Sequence, residues 1–90
     1  MDLLLRFIER AEKDARITTA HISLYLSLWK KGKERMEGEK MLLFRNEITS
    51  TCKISSSSTF HKVMRELHEY GYIHYEPSFN HAIGSAVKLL

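Results

Sequence analysis

The sequence predicts a mostly α-helical domain with a C-terminal β-hairpin, and three observations carry that prediction. Residues 57–70 repeat apolar side chains at helical spacing, opening on a serine run and stopping at Gly71. Residues 72–76 alternate from one side chain to the next, as a half-buried strand does, and Pro77 breaks the run. Two earlier segments carry helical patterns of their own. Ninety residues accommodate one domain with a single core.

Residues 2–14 suit a first helix, with Leu4, Phe7, Ile8 and Ala11 in one stripe, Leu3 on its shoulder, and Arg6, Glu9, Arg10 and Lys13 on the other side. Thr18 or Thr19 offers an N-cap for a second helix reaching about Lys31. Its apolar residues Ile22, Leu24, Tyr25, Leu26, Leu28 and Trp29 spread over roughly 200° by the 3.6-residue repeat. That excess implies contacts on two sides. Ile22, Leu26 and Trp29 are expected to face the core. Leu24 and Leu28 are expected to face either the first helix or a second copy of the chain. A homodimer interface of Leu4, Phe7, Ile8, Leu24 and Leu28 follows from the second option.

The charged, glycine-containing stretch Lys30–Lys40 is expected to be a surface connection. Met41–Phe44 suits a short buried strand or an extended entry, and Asn46 can cap a brief helix through Cys52 with Ile48 inward and Glu47 near its N-terminus. Lys53, Ile54 and Ser55 turn the chain. Ser56 caps the helix 57–70, in which Phe60, Val63, Met64, Leu67 and Tyr70 share one face. Gly71 fits the left-handed position after a helix. The loop Ser78–Gly84 then joins the strand beginning at Tyr72 to a second, Ser85–Leu89.

Composition narrows the function. With 43% apolar and 28% charged residues the chain has the balance of a folded protein. A single cysteine, Cys52, precludes an intrachain disulfide. His61 and His68 are about 10 Å apart along a helix at 1.5 Å per residue, too far to share one zinc ion, so no metal is expected. There is no glycine-rich phosphate loop and no paired carboxylate motif, so neither an enzyme nor a cofactor is expected. The longest apolar run, Met41–Phe44, is far below the roughly 20 residues of a membrane span, and the N-terminal residues lack the basic start of a signal peptide. A cytoplasmic location is the expectation. The formal charge of +3 permits a polyanionic partner without requiring one.

Opposite the apolar stripe of 57–70 lie Ser57, Ser58, His61 and Arg65, flanked by Lys62 and His68. A helix of this kind, preceded by a short helix and followed by a hairpin, makes a winged helix-turn-helix. In such proteins the N-terminal part of the second helix touches base edges in the DNA major groove. Arg65 can donate two parallel bonds to guanine, and the serine hydroxyls and the His61 ring can reach bases or phosphates. The helix N-terminus around Ser57–Thr59 suits a phosphate. Thr49, Ser50 and Lys53 lie where the backbone would be touched, and Asn80, His81 and Ser85, with Lys88 beyond, lie on the wing. On this reading residues 1–16 form an N-terminal helix and 17–43 the first core helix with its connecting loop. Residues 44–71 are the helix-turn-helix and 72–90 the wing.

The run Ser56-Ser57-Ser58-Thr59-Phe60-His61-Lys62-Val63-Met64, with Leu67 and Gly71-Tyr72-Ile73 after it, resembles the DNA-reading helix of GntR-type repressors. Those carry Ser-Arg-x-Thr-Val-Arg before the hydrophobic positions and Gly-Leu-Ile after them. The resemblance implies DNA contacts at Ser57, Thr59 and His61. Ser57 and His61 stand where that pattern has arginine. Over most of its length the chain is also similar to short winged-helix proteins of bacterial mobile elements such as conjugative transposons. That likeness rests on Lys53–Lys62, on Glu66–Ile73, on Tyr75–Ser78 and on the closing Gly84–Leu89. It implies a cytoplasmic transcription or transposition accessory factor that binds double-stranded DNA. The rival expectation is a winged-helix protein–protein module. Five Lys/Arg against four Asp/Glu within 44–90 favour it.

Overall fold

Seven elements follow the chain in a computed structural model that describes residues 3–34, 41–77 and 84–90: α1 (Leu3–Glu12), α2 (Thr19–Glu34), β1 (Met41–Leu43), α3 (Arg45–Cys52), α4 (Ser57–Glu69), β2 (Ile73–Glu76) and β3 (Ser85–Leu89). The predicted hairpin strands are present, and a third strand joins them. β1 and β2 both pair antiparallel with β3, in the order β1-β3-β2. Val87 lies opposite both Met41 and Tyr75. The inward residues Met41, Leu43, Ile73, Tyr75, Val87 and Leu89 therefore form one buried sheet face. The mostly helical expectation holds, with a three-stranded sheet in place of a lone ribbon. Residues 78–83, where a loop carrying Asn80 and His81 is expected from the sequence, lie outside the described residues.

α2 is the central helix, and it is rotated from the sequence expectation. Leu24 and Leu28 have no exposed surface, and Tyr25 is buried with them, whereas Ile22 and Leu26 are 38% and 41% exposed. Trp29 is only partly buried. The buried side includes His21 and Ser27, which the pattern assigned no inward role. Their polar atoms are hydrogen-bonded. Ser27 Oγ donates to Ser23 O (3.1 Å), and Ser23 Oγ in turn donates to Cys52 O on α3. His21 Nδ1 accepts from the Thr18 backbone N–H (2.9 Å). Thr18 is the residue ahead of the helix, its carbonyl accepting from Ile22 N–H (3.1 Å). Small, internally bonded serines let α3 approach, and that fixes which arc of an over-wide apolar surface goes inside. α2 also continues past Lys31 to Glu34, so the expected connecting loop begins later; residues 35–40 lie outside the described residues.

Three of the expected interface residues are thereby withdrawn. Phe7, Leu24 and Leu28 are buried by their own chain, and Leu4 is partly covered. Phe7 stacks on Tyr25 with ring centroids 3.9 Å apart and meets the edge of Tyr72 at 5.3 Å. α1 is therefore fastened inside the same domain. Ile8 alone of that set stays open to solvent, at 41%.

α3 begins two residues earlier than Asn46 would allow as a cap. Phe44 takes the extended N-cap position, and its backbone N–H is bonded by the Glu47 carboxylate (2.9 Å). This is one half of a capping box, supplied by the glutamate because phenylalanine has no side-chain acceptor. Ile48 is buried as expected. α3 ends at Lys53, in a left-handed conformation (φ 62°). A side chain in that region costs about 1 kcal/mol. Lys53→Gly is accordingly expected to raise stability by up to about 1 kcal/mol in denaturant unfolding.

α4 starts and stops where the sequence indicates. Ser56 Oγ accepts from Thr59 N–H (3.3 Å), and Phe60, Val63, Met64 and Leu67 are buried. Gly71 (φ 85°) ends it, with Gly71 N–H donating to His68 O (3.1 Å) and Tyr72 N–H to Leu67 O (2.9 Å). That bond pair is a Schellman stop, which only a residue tolerant of positive φ provides cheaply.

A clasp from α1 holds this corner. Arg10 donates to Gly71 O (3.2 Å) and Tyr70 O (3.4 Å) and lies 4.2 Å over the Tyr72 ring. Arg16 sits 4.1 Å over Tyr70. Asp14 joins both sides, accepting from Arg16 Nη2 (2.8 Å) and from the Tyr72 hydroxyl (2.8 Å). The Arg16 guanidinium first, and the Tyr72 hydroxyl with it, hold the Asp14 carboxyl well below the usual carboxylate range, against the opposing pull of desolvation. Burial, then the Asp14 bond, pushes the Tyr72 phenol up. Because the folded-state value of Asp14 is depressed, its contribution is complete above the unfolded value of about 3.9 and is lost as pH falls further. Asp14→Asn should therefore lower Tm at neutral pH, and the gap from the unsubstituted chain should narrow below about pH 4 in a thermal melt series.

Candidate functional site

The expected site residues on α4 all reach solvent. Ser57, Ser58, Thr59, His61, Lys62 and Arg65 are exposed, and so is Lys53 in the turn ahead of the helix. The cause is the helical repeat: with Phe60, Val63, Met64 and Leu67 held by the core, the intervening positions must point outward. From Ser57 to Arg65 there is no carboxylate. Ser58 Oγ shares a hydrogen bond with the capping Ser56 Oγ (3.1 Å). The Thr59 amide is taken by that cap, and the amides of Ser57 and Ser58 belong to the first turn, which has no intrahelical acceptors for them.

Glu66, one residue past Arg65, is engaged on the inner side. Its carboxylate lies 2.9 Å from His21 Nε2 on α2. Since the Thr18 amide can only donate to Nδ1, the hydrogen-bond network assigns the ring proton to Nε2, which donates to Glu66. A buried histidine thus pins α4 to the central helix. No ion pair joins Arg65 to Glu69 among the described residues, contrary to the surface pairing that their spacing allows.

The structure also gathers residues that the sequence left apart. His61, Arg65, His68, Tyr75 and Pro77 line one groove of about 400 Å³ between α4 and β2. His68 Nδ1 accepts from the Tyr75 backbone N–H (3.1 Å), and the Tyr75 hydroxyl lies 3.5 Å from His61 Nδ1. Tyr75 and Pro77 had no assigned part in the site. Their signal was the strand alternation itself, which sends Tyr75 to the same sheet face as Ile73 and so against α4.

A second surface is apolar. Ile22 and Leu26 flank a hollow with Thr19, Ser23 and Thr51, and Ile22 also borders a second hollow with Phe7, Ile8, Ala11, Glu12 and Ile17. This ridge lies on α1 and α2 and shares no residue with the α4 groove, because it is the side of α2 left over once Leu24, Tyr25 and Leu28 are buried. No helix among the described residues is long and apolar enough to cross a membrane. Known protein families, curated proteins and solved structures offer no match to the chain.

Proposed function

We propose that the chain is a winged helix-turn-helix that binds duplex DNA, with α3 and α4 as the helix pair and the β2–β3 hairpin as the wing. The observation that carries this reading is the solvent face of α4, which presents Ser57, Ser58, His61, Lys62 and Arg65 with no carboxylate among them. The order of elements supports it. After α1, a helix, a strand, two helices and two strands, with the first strand joined to the last, leave α4 bare on one side and beside the hairpin. Ser57, Ser58, Thr59 and His61 lie at the helix start, where base edges are read, and Lys53 and Lys62 supply phosphate contacts. Such a module serves as a small transcription regulator or a mobile-element accessory factor. It has no chemistry of its own.

Few cations take part, so a single subunit should show a slope of log affinity against log salt of about −3. Titrating a labelled duplex at two salt concentrations tests the reading: binding that weakens at higher salt supports it, and no binding at either refutes it.

A specific observation favours a second reading, a protein-interaction module. Ile8, Ile22 and Leu26 are exposed on α1 and α2 around two adjoining hollows that both include Ile22 and no residue of α4. The two readings are compatible if that face pairs two copies, which would double the DNA footprint. Sedimentation at rising concentration separates monomer from dimer.

A further inference from the structure

Arg65 stands eight residues after Ser57, about 12 Å along the helix axis at 1.5 Å per residue. The major groove is about 12 Å wide. If the start of α4 meets base edges, Arg65 is therefore at the rim, where the sugar-phosphate strand runs. Its surroundings there are built from donors. The guanidinium only donates, and it makes no other bond among the described residues. His68 Nδ1 is occupied by the Tyr75 amide, which can only donate, so the proton of the neutral ring sits on Nε2 and is available to a ligand. The Tyr75 hydroxyl adds a third donor, with the His61 ring beside it. The fifth lining residue, Pro77, is apolar, and none of the five carries a carboxylate.

We propose that this groove seats one phosphodiester of the DNA backbone, so that Arg65 is a phosphate anchor and not a base reader; the assignment rests on the DNA-binding reading above. Arg65 supplies the charge. His68 and Tyr75 supply directed bonds that fix how far α4 can slide along the groove. Tyr75 is held by the core and His68 by the strand backbone, so the seat is rigid before DNA arrives.

The test compares the intact chain with Arg65→Gln, His68→Asn and Tyr75→Phe on a labelled duplex at 50 and 200 mM salt. It also measures base preferences by sequencing the bound fraction of a random duplex pool. Asparagine at 68 keeps an acceptor for the Tyr75 amide while removing the Nε2 donor, and phenylalanine at 75 keeps the buried ring. Arg65→Gln should lower affinity about ten-fold at the lower salt, flatten the salt slope by about one, and leave base preferences unchanged. His68→Asn and Tyr75→Phe should each cost about three-fold with the slope unaltered. Placing a neutral methylphosphonate at successive backbone positions should find one site that weakens the intact chain about ten-fold and Arg65→Gln not at all. Relaxed preference at a single base pair in Arg65→Gln overturns the seat and leaves DNA binding standing. Unchanged affinity in both His68→Asn and Tyr75→Phe does the same. Absence of salt-sensitive binding by the intact chain overturns the seat together with the reading beneath it.

Discussion

Leu24→Ala is expected to destabilise the protein by about 3 kcal/mol, while Leu26→Ala, two positions on, should change stability by less than about 0.5 kcal/mol. Leu24 has no exposed surface, in a helix that packs against α1, α3, α4 and β3, so truncation leaves a cavity that its neighbours cannot collapse into. Leu26 is 41% exposed and loses little. Urea unfolding of the two variants reads the difference directly. Equal losses, or a larger loss at Leu26, would mean that α2 is rotated the other way, which is the orientation its sequence suggests. The same pair separates stability from association. If two copies meet through the Ile22–Leu26 ridge, Leu26→Ala should weaken the dimer without unfolding the subunit.

That orientation shows where sequence reading stops. α4 was legible because each signal agrees: Ser56 caps it, Gly71 stops it, and one narrow stripe from Phe60 to Leu67 can only face one way. β3 was legible for a similar reason, being bounded by Gly84 and ending in Val87-Lys88-Leu89, whose apolar-polar alternation matches the buried-exposed-buried pattern there. α2 has no such agreement. Its apolar residues cover too much of the circumference for periodicity to choose an arc. The choice falls to Ser23 and His21, whose partners lie on other elements or at the helix start. Ser23 reaches Cys52 and His21 reaches Glu66, so neither bond exists until α3 and α4 are in place. The Arg10 clasp is hidden likewise. Its acceptors lie about sixty residues away, and an arginine on the polar side of an amphipathic helix reads as solvated surface. The exposed face of α4 was readable residue by residue. The groove beside it was not, since Tyr75 and Pro77 enter it only through the sheet.

Lys62→Glu should abolish most duplex binding, lowering affinity about 100-fold at low salt, while the melting temperature stays within a degree or two. Lys62 is exposed on α4 and makes no hydrogen bond or ion pair among the described residues, so the fold has little stake in its charge. A DNA surface has a large one. The substitution removes one counterion-releasing cation and sets a carboxylate against a phosphate, and like charges brought together at an interface cost several kcal/mol. The new carboxylate would also stand three residues before Arg65, close enough to pair with that guanidinium and neutralise a second cation of the face. A module that binds proteins through Ile8, Ile22 and Leu26 would not register the change, since that ridge lies on other helices. Duplex titration with thermal melting alongside therefore divides the two readings with one variant: lost affinity in a folded protein belongs to DNA binding, and unaltered affinity removes α4 from the interface.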